Sequence, residues 1–416
     1  MYMQFRTARR RGGGWAALSM AGCFASAAAA AQPAPLTLPD VIARARSEAP
    51  AVVIAALTLE ETRGRLVGAE RRFTSNPDID GAIGRRSGEN GVVADLQLGI
   101  SQTFQPRSRR RARIEGAQAA MDQTRADIEA TRRLSIAAAV EAFHRTVYAG
   151  ERLRLLRHDA TLAESVLAVT ERRYSAGDVA GLDVNLARTA VGRARADVAA
   201  AEADAAVARG ELQRLLGLPT PVAVAGSLPD AVADAVALEA RLAAVSTRPD
   251  LLALEAAIRE ARAEANLGRS SATPDYGVGA RFSREEGDRI VMGTFSISLP
   301  LAARGQDTIV TGLAREARLA ATLDTTRLQA RIEVAAAHAA YEHRQAALRL
   351  LERDVVASLD DTLALATRSF DVGQIGIADL LVMRREVAEA RLQHLDTLLS
   401  TVLARVALDS ASGVLR

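Results

Sequence analysis

Three short stretches of the chain recur in the same order about 197 residues downstream. NPDI at 76–79 returns as TPDY at 273–276, ISQTF at 100–104 as ISLPL at 297–301, and YSAGDVAGLD at 174–183 as FDVGQIGIAD at 370–379. Ordered matches at one common offset mean a duplicated unit, so the fold must have two equivalent halves. The halves are 36–218 and 236–412, joined by a proline-containing linker at 219–235.

Each half reads alike. Ala and Leu recur every three or four residues over Pro39 to Glu48 and Ala51 to Arg72, and again over Ala235 to Ser246 and Asp250 to Arg269, which predicts short helices. The period then drops to two. Ile79 to Arg85 and the alternating Val92, Ala94, Leu96, Leu98 and Ile100 predict a hairpin around Ser87 to Gly91. Tyr276, Val278, Ala280 and Phe282, then Val291 to Leu299, predict its counterpart around Glu285 to Asp288. Strands of roughly 9 to 11 residues have the length that crosses a bilayer at a tilt. Pro77, Pro106, Pro274 and Pro300 stand where such strands must give way to another geometry.

After each hairpin, Ser108 to Tyr174 and Gln306 to Phe370 run without a proline, predicting helices on the order of 100 Å long at about 1.5 Å per residue. Shorter helices return over Leu182 to Leu216 and Ala378 to Leu408. Together with the helix before the hairpin, each matches the long helix in length, so two short helices should stack beside one long one. The expected seams are narrow and rich in small residues: Ile114, Ala117, Met121 and Ile128 in one long helix, Leu313, Ala317, Ala320 and Leu328 in the other.

Composition removes other classes. Aromatic residues are only 3% of the chain, too few for the aromatic girdles of an all-β membrane barrel. No segment after the leader has the long uncharged apolar run of a transmembrane helix. The net charge of +3 comes from Arg6, Arg9, Arg10 and Arg11, so the rest carries no basic excess and nucleic acid is not an expected partner. Residues 1–31, basic and then apolar up to Ala31, form a secretory signal peptide. Within it Met20-Ala21-Gly22-Cys23 resembles a lipoprotein box, which would make Cys23 a lipid anchor; the alternative is its removal with the leader. The five histidines lack metal-pair spacing, and no phosphate loop or catalytic acid pair occurs, so no metal, cofactor or enzymatic activity is expected. The basic run Arg107 to Arg113 reads as solvated helix-start charge or a lipid-headgroup contact.

Four strands cannot close a barrel, and an open sheet edge in lipid leaves unpaired backbone groups that cost several kcal/mol each. Three copies would supply twelve strands. The order of leader, short helices, NPDI strand, hairpin, long helix, YSAGDVAGLD turn and returning helix, all repeated, resembles the TolC-type outer-membrane efflux channels across the mature chain. TFQPRSRRRARIEGA (103–117) and REEGDRIVMGTFSISLPLAARGQ (284–306) are most similar to the heavy-metal CzcC branch.

This resemblance implies a mainly α fold in which long antiparallel helices form an α-barrel and two hairpins join a trimeric outer-membrane β-barrel. The implied function is passive exit of heavy-metal cations, or of drugs or secreted cargo. The homotrimer would sit in outer-membrane lipid, fed by a periplasmic adaptor and an inner-membrane RND-type pump. A periplasmic coiled-coil adaptor without a pore is the rival from another class; it would lack the paired hairpins. The resemblance also implies that Tyr174, Gly177, Val179, Gly181, Phe370, Gly373, Ile375 and Gly376 form the periplasmic tip turns and meet the adaptor. Gly177 and Gly373 suit left-handed helix stops. Asp183 and Asp379 are either helix-start acids or, from three chains, acidic rings gating the tip. Ile375 and Val382 stand where the prototype has polar gate residues, so no salt-bridge latch carries over.

Overall fold

The two hairpins form and join into one antiparallel sheet of order β1-β2-β3-β4, with β1 at Asp78–Gly88, β2 at Gly91–Phe104, β3 at Asp275–Glu285 and β4 at Asp288–Ser298. The pairing of β2 with β3 sets Ile100 opposite Ala280 and Leu98 opposite Phe282, so the two repeats meet in the middle of the sheet. The computed structural model describes residues 35–88, 91–229, 237–285 and 288–415. The leader with Cys23, residues 230–236 and the turn residues Glu89, Asn90, Glu286 and Gly287 lie outside the described residues.

Nine α-helices occur among the described residues. They are α1 (Leu38–Ser47), α2 (Pro50–Glu70), α3 (Arg107–Ser175), α4 (Gly181–Leu216), α5 (Leu238–Ala244), α6 (Pro249–Ser270), α7 (Gln306–Leu351), α8 (Ala357–Asp371) and α9 (Ile377–Ala411). On the hairpin side α2 packs on α3, α3 on α6 and α6 on α7, a lateral order that continues the order of the strands. On the tip side α4 packs on α3, α3 on α9, and α9 on α7 and α8. Short helices thus stack in pairs along each long one, as the length match requires.

Close packing comes from small residues. A Cβ on Gly312 would stand 2.6 Å from the backbone nitrogen of Ala265, so α6 and α7 touch backbone to backbone at that level. The largest core lies midway along the helices, where Val41 and Ala45 of α1 meet Ile136, Val140 and Phe143 of α3 and Leu212 and Leu216 of α4. A second core repeats this in the other half, with Val245, Leu251, Val334, Tyr341 and Leu408. Between the two cores three buried arginines converge on the C-terminal end of α9. Arg133 donates to the Ser410 carbonyl, Arg248 donates to the Ala411 carbonyl at 2.8 Å and to Asp250 and Glu333, and Arg241 pairs with Asp409 at 2.6 Å. The partial negative charge at a helix C-terminus, together with these carboxylates, balances the buried cations.

Two expectations need correction. The second long helix is not uniform: Glu352–Val356 form a π turn between α7 and α8, whereas α3 runs 69 residues unbroken. Neither Pro nor Gly marks that turn in the sequence. The seam expected in α7 is also rotated. Leu313, Ala317, Ala320 and Leu328 are exposed, while Gly312, Leu319, Leu323, Ala330 and Val334 are buried. The helix carries two apolar faces, and a periodicity argument does not say which of them packs within the chain.

Candidate functional site

Two surfaces carry chemistry, the sheet and the turns at the far end of the helices. Side chains alternate across a strand, so the register sorts the sheet into two faces. Ile79, Ile83, Leu98, Ile100, Val278, Val291, Phe295 and Ile297 share one face. They are large and open: Ile83 is 84% exposed and Val291 78%. The opposite face holds Asp80, Asp95, Arg86, Arg281, Thr294 and Ser296. Its charges pair across strands, Arg86 with Asp95 at 3.1 Å and with Glu285 at 3.6 Å, and Arg281 with Asp80 at 3.4 Å. In a membrane only the first face suits hydrocarbon, and the second must face water. Tyr276 and Phe104, cross-strand partners at the helix end of the apolar face, lie where an interfacial aromatic belongs, with Phe73 packed edge-on to Phe104.

Both outer edges are open. Among the described residues β1 pairs only with β2 and β4 only with β3. The helices beneath repeat this pattern, since Ile54 and Leu57 of α2 and Val310, Leu328 and Ile332 of α7 are exposed at the two lateral margins.

Three arginines of the basic run after β2 make local contacts. Arg109 binds Asp275 and the Thr273 carbonyl, Arg110 the Glu70 carbonyl, and Arg111 reaches Glu115. The contacts of Arg109 and Arg110 lie at the joint between hairpin and helices.

At the far end α3 and α8 stop in the same way. Gly177 and Gly373 adopt left-handed φ of 85° and 76°. The amides of Gly177 and Asp178 donate to the carbonyls of Tyr174 and Arg173, and those of Gly373 and Gln374 to Phe370 and Ser369, a Schellman closure in both repeats. Asp183 and Asp379 then accept hydrogen bonds from the backbone N–H groups of Ala180, at 3.1 Å, and Gly376, at 3.3 Å. Each carboxylate is half of a capping box and closes the first turn of α4 or α9.

The tips differ in what they bury. Phe370 is 5% exposed and packs with Ala187, Ile377 and Leu380, with Ile375 at the margin, whereas Tyr174 is 54% exposed and lies over Gly181. Val179 is half-buried, and Gly376 is exposed at the start of α9. Arg173 is the residue that sequence reasoning missed. Its guanidinium stacks 4.6 Å from the Phe370 ring centre and donates to the Phe370 and Asp371 carbonyls, tying one tip turn to the other. A basic residue in the last helical turn was the available signal. A second is Arg384, buried on α9, which reaches Asp159 of α3 at 3.2 Å, while its counterpart Arg188 pairs with Glu171 on the surface.

The profile of the Outer membrane efflux protein family matches residues 41–218 and 242–414. The cobalt-zinc-cadmium resistance protein CzcC of Cupriavidus metallidurans is 25% identical over 384 residues, covering 91% of this chain and 90% of that protein. Among solved structures, CusC superposes with a TM-score of 0.76 at 18% identity over 90% of this chain and 92% of that one. The open-state MtrE outer membrane channel of Neisseria gonorrhoeae superposes with 0.71 at 22% identity over 90% and 88%. The duplicated helix–hairpin–helix architecture and the profile match across both halves carry one conclusion: the chain belongs to the outer membrane efflux protein family, whose members are non-enzymatic channels.

Proposed function

We propose that three copies of the chain close a twelve-stranded barrel in the outer membrane and continue it as a helical duct into the periplasm. There a periplasmic adaptor and an inner-membrane RND-type pump would deliver heavy-metal cations for passive exit. The observation that carries this reading is a sheet with bilayer-length strands, an apolar face and two unpaired edges. Such a sheet is satisfied in lipid only by sharing a closed cylinder. The exposed apolar margins on α2 and α7 support the same closure below the membrane. The name of the similar CzcC protein supports cobalt, zinc and cadmium as cargo.

In this reading residues 1–31 are removed on export, the turns at Gly177 and Gly373 meet the adaptor, and Asp183 and Asp379 add acidic rings to their capping role. Cation-favouring rings of carboxylates are a recurring pore device. Detergent-extracted protein is expected to run as a trimer in light scattering, and a chain lacking 276–299 to be absent from outer-membrane fractions. A soluble monomer would end the channel reading. Loss of cobalt, zinc and cadmium tolerance on deletion of the gene tests the cargo separately.

A further inference from the structure

We propose that Arg85, Arg284 and Arg289 form a rim that binds the phosphate groups of an anionic glycolipid in the outer leaflet. The inference rests on the reading of the apolar sheet face as lipid-facing. All three belong to that face by register: Arg85 stands opposite Ala94, Arg284 opposite Leu96, and Arg284 and Arg289 directly oppose each other. All three are exposed and lie toward the turns, at the end of the apolar band remote from the helices and from Tyr276. Among the described residues none of the three makes a hydrogen bond or ion pair, whereas Arg86 and Arg281 on the opposite face are both paired with carboxylates.

Like charges directly across a strand pair repel, and at the boundary of hydrocarbon that repulsion is poorly screened. A phosphate between the two guanidinium groups reverses its sign. The planar fork of Arg matches phosphate oxygens, and neighbouring strands about 4.8 Å apart let two side chains reach one group. In a closed barrel β4 abuts β1 of the next copy, so Arg289 and Arg85 of the partner subunit fall on adjoining strands and the rim crosses the subunit junction. A zwitterionic headgroup offers no comparable net charge, and this selects a phosphomonoester lipid.

The test uses the full-length protein in a neutral detergent, titrated with diphosphoryl lipid A, with lipid A stripped of both phosphates, and with inorganic phosphate alone. Saturable binding of the diphosphoryl form only is expected. It should weaken about fivefold for each Arg→Gln change and on the order of a hundredfold for R85Q/R284Q/R289Q. Arg86→Gln, on the opposite face, should bind as the unaltered protein does. Equal binding of the stripped lipid, or an undiminished affinity in a triple variant that is still trimeric, overturns the rim while leaving the channel reading intact. Should the triple variant not assemble, the three single variants decide: unchanged affinity in all of them refutes the rim. Equal binding of inorganic phosphate alone would mark an unspecific anion site and also refute it. A monomeric unaltered protein, by contrast, removes the lipid-facing premise itself.

Discussion

Arg109, in the first turn of α3, sets one guanidinium nitrogen 2.8 Å from both carboxylate oxygens of Asp275, which opens β3. The other terminal nitrogen reaches the Thr273 carbonyl at 3.0 Å. One side chain thus bolts the first repeat's long helix to the entrance of the second repeat's hairpin, across the joint where helices become strands. Both partners are largely shielded, so their charges are screened less than those of a surface pair.

Arg109→Met leaves the Asp275 carboxylate without its cation and should destabilise the joint by about 1.5–3 kcal/mol, the range for hydrogen bonds to charged groups. Heating the purified assembly in mild SDS should dissociate the variant at a lower temperature than the unaltered protein. Equal dissociation temperatures would show the contact to be dispensable.

Gly177 and Gly373 have open space around a notional Cβ, so their need for glycine is purely conformational. Replacing either with Val should cost about 1–2 kcal/mol through the left-handed φ alone. The loss should be local: faster amide hydrogen exchange in the Schellman amides of Asp178 or Gln374, with the sheet unchanged. Protection equal to that of the unaltered protein would show that the turn tolerates a side chain.

Asp183 and Asp379 separate capping from conduction. Asp→Asn at both positions keeps an acceptor for the Ala180 and Gly376 amides but removes the charge. Asp→Ala removes both. If the carboxylates also form rings, the Asn pair should lower cation preference in planar bilayers while amide protection at the starts of α4 and α9 is retained. Reversal potentials identical in the Asn variant and the unaltered channel would leave these residues as caps only.

His144 is buried in α3 against Phe143, and burial pushes its imidazole below the ordinary histidine range. A folded value lower than the unfolded one means that the unfolded chain takes up the proton first as pH falls. Its contribution is therefore complete above about pH 6.5, the unperturbed value, and declines as pH drops toward the lower folded value. The melting temperature should fall between pH 7.5 and 5.5 by more than in a His144→Leu variant. Parallel pH profiles for the two proteins would count against a titrating His144.

The duplication, hairpins, long helices and glycine stops were legible because each rests on local physics. A period of two or 3.6 reports which element forms, and a Gly at the end of a periodic run reports the αL stop. Tertiary contacts were not legible. The choice of Leu319 and Val334 over Leu313 and Leu328 as the inner face of α7, the π turn at Glu352–Val356, and the burial of Phe370 beside an exposed Tyr174 each depend on what stands opposite. So do the arginines. Arg384 is buried against α3 while its repeat partner Arg188 stays at the surface, although the two occupy equivalent places in helices of nearly equal length. The sequence by itself determined a twofold repeat with too few strands to close alone, since that needs only chain periodicity and the cost of unpaired backbone in lipid. Which apolar faces are spent inside the chain, and which remain for neighbours and lipid, was decided by packing between segments hundreds of residues apart.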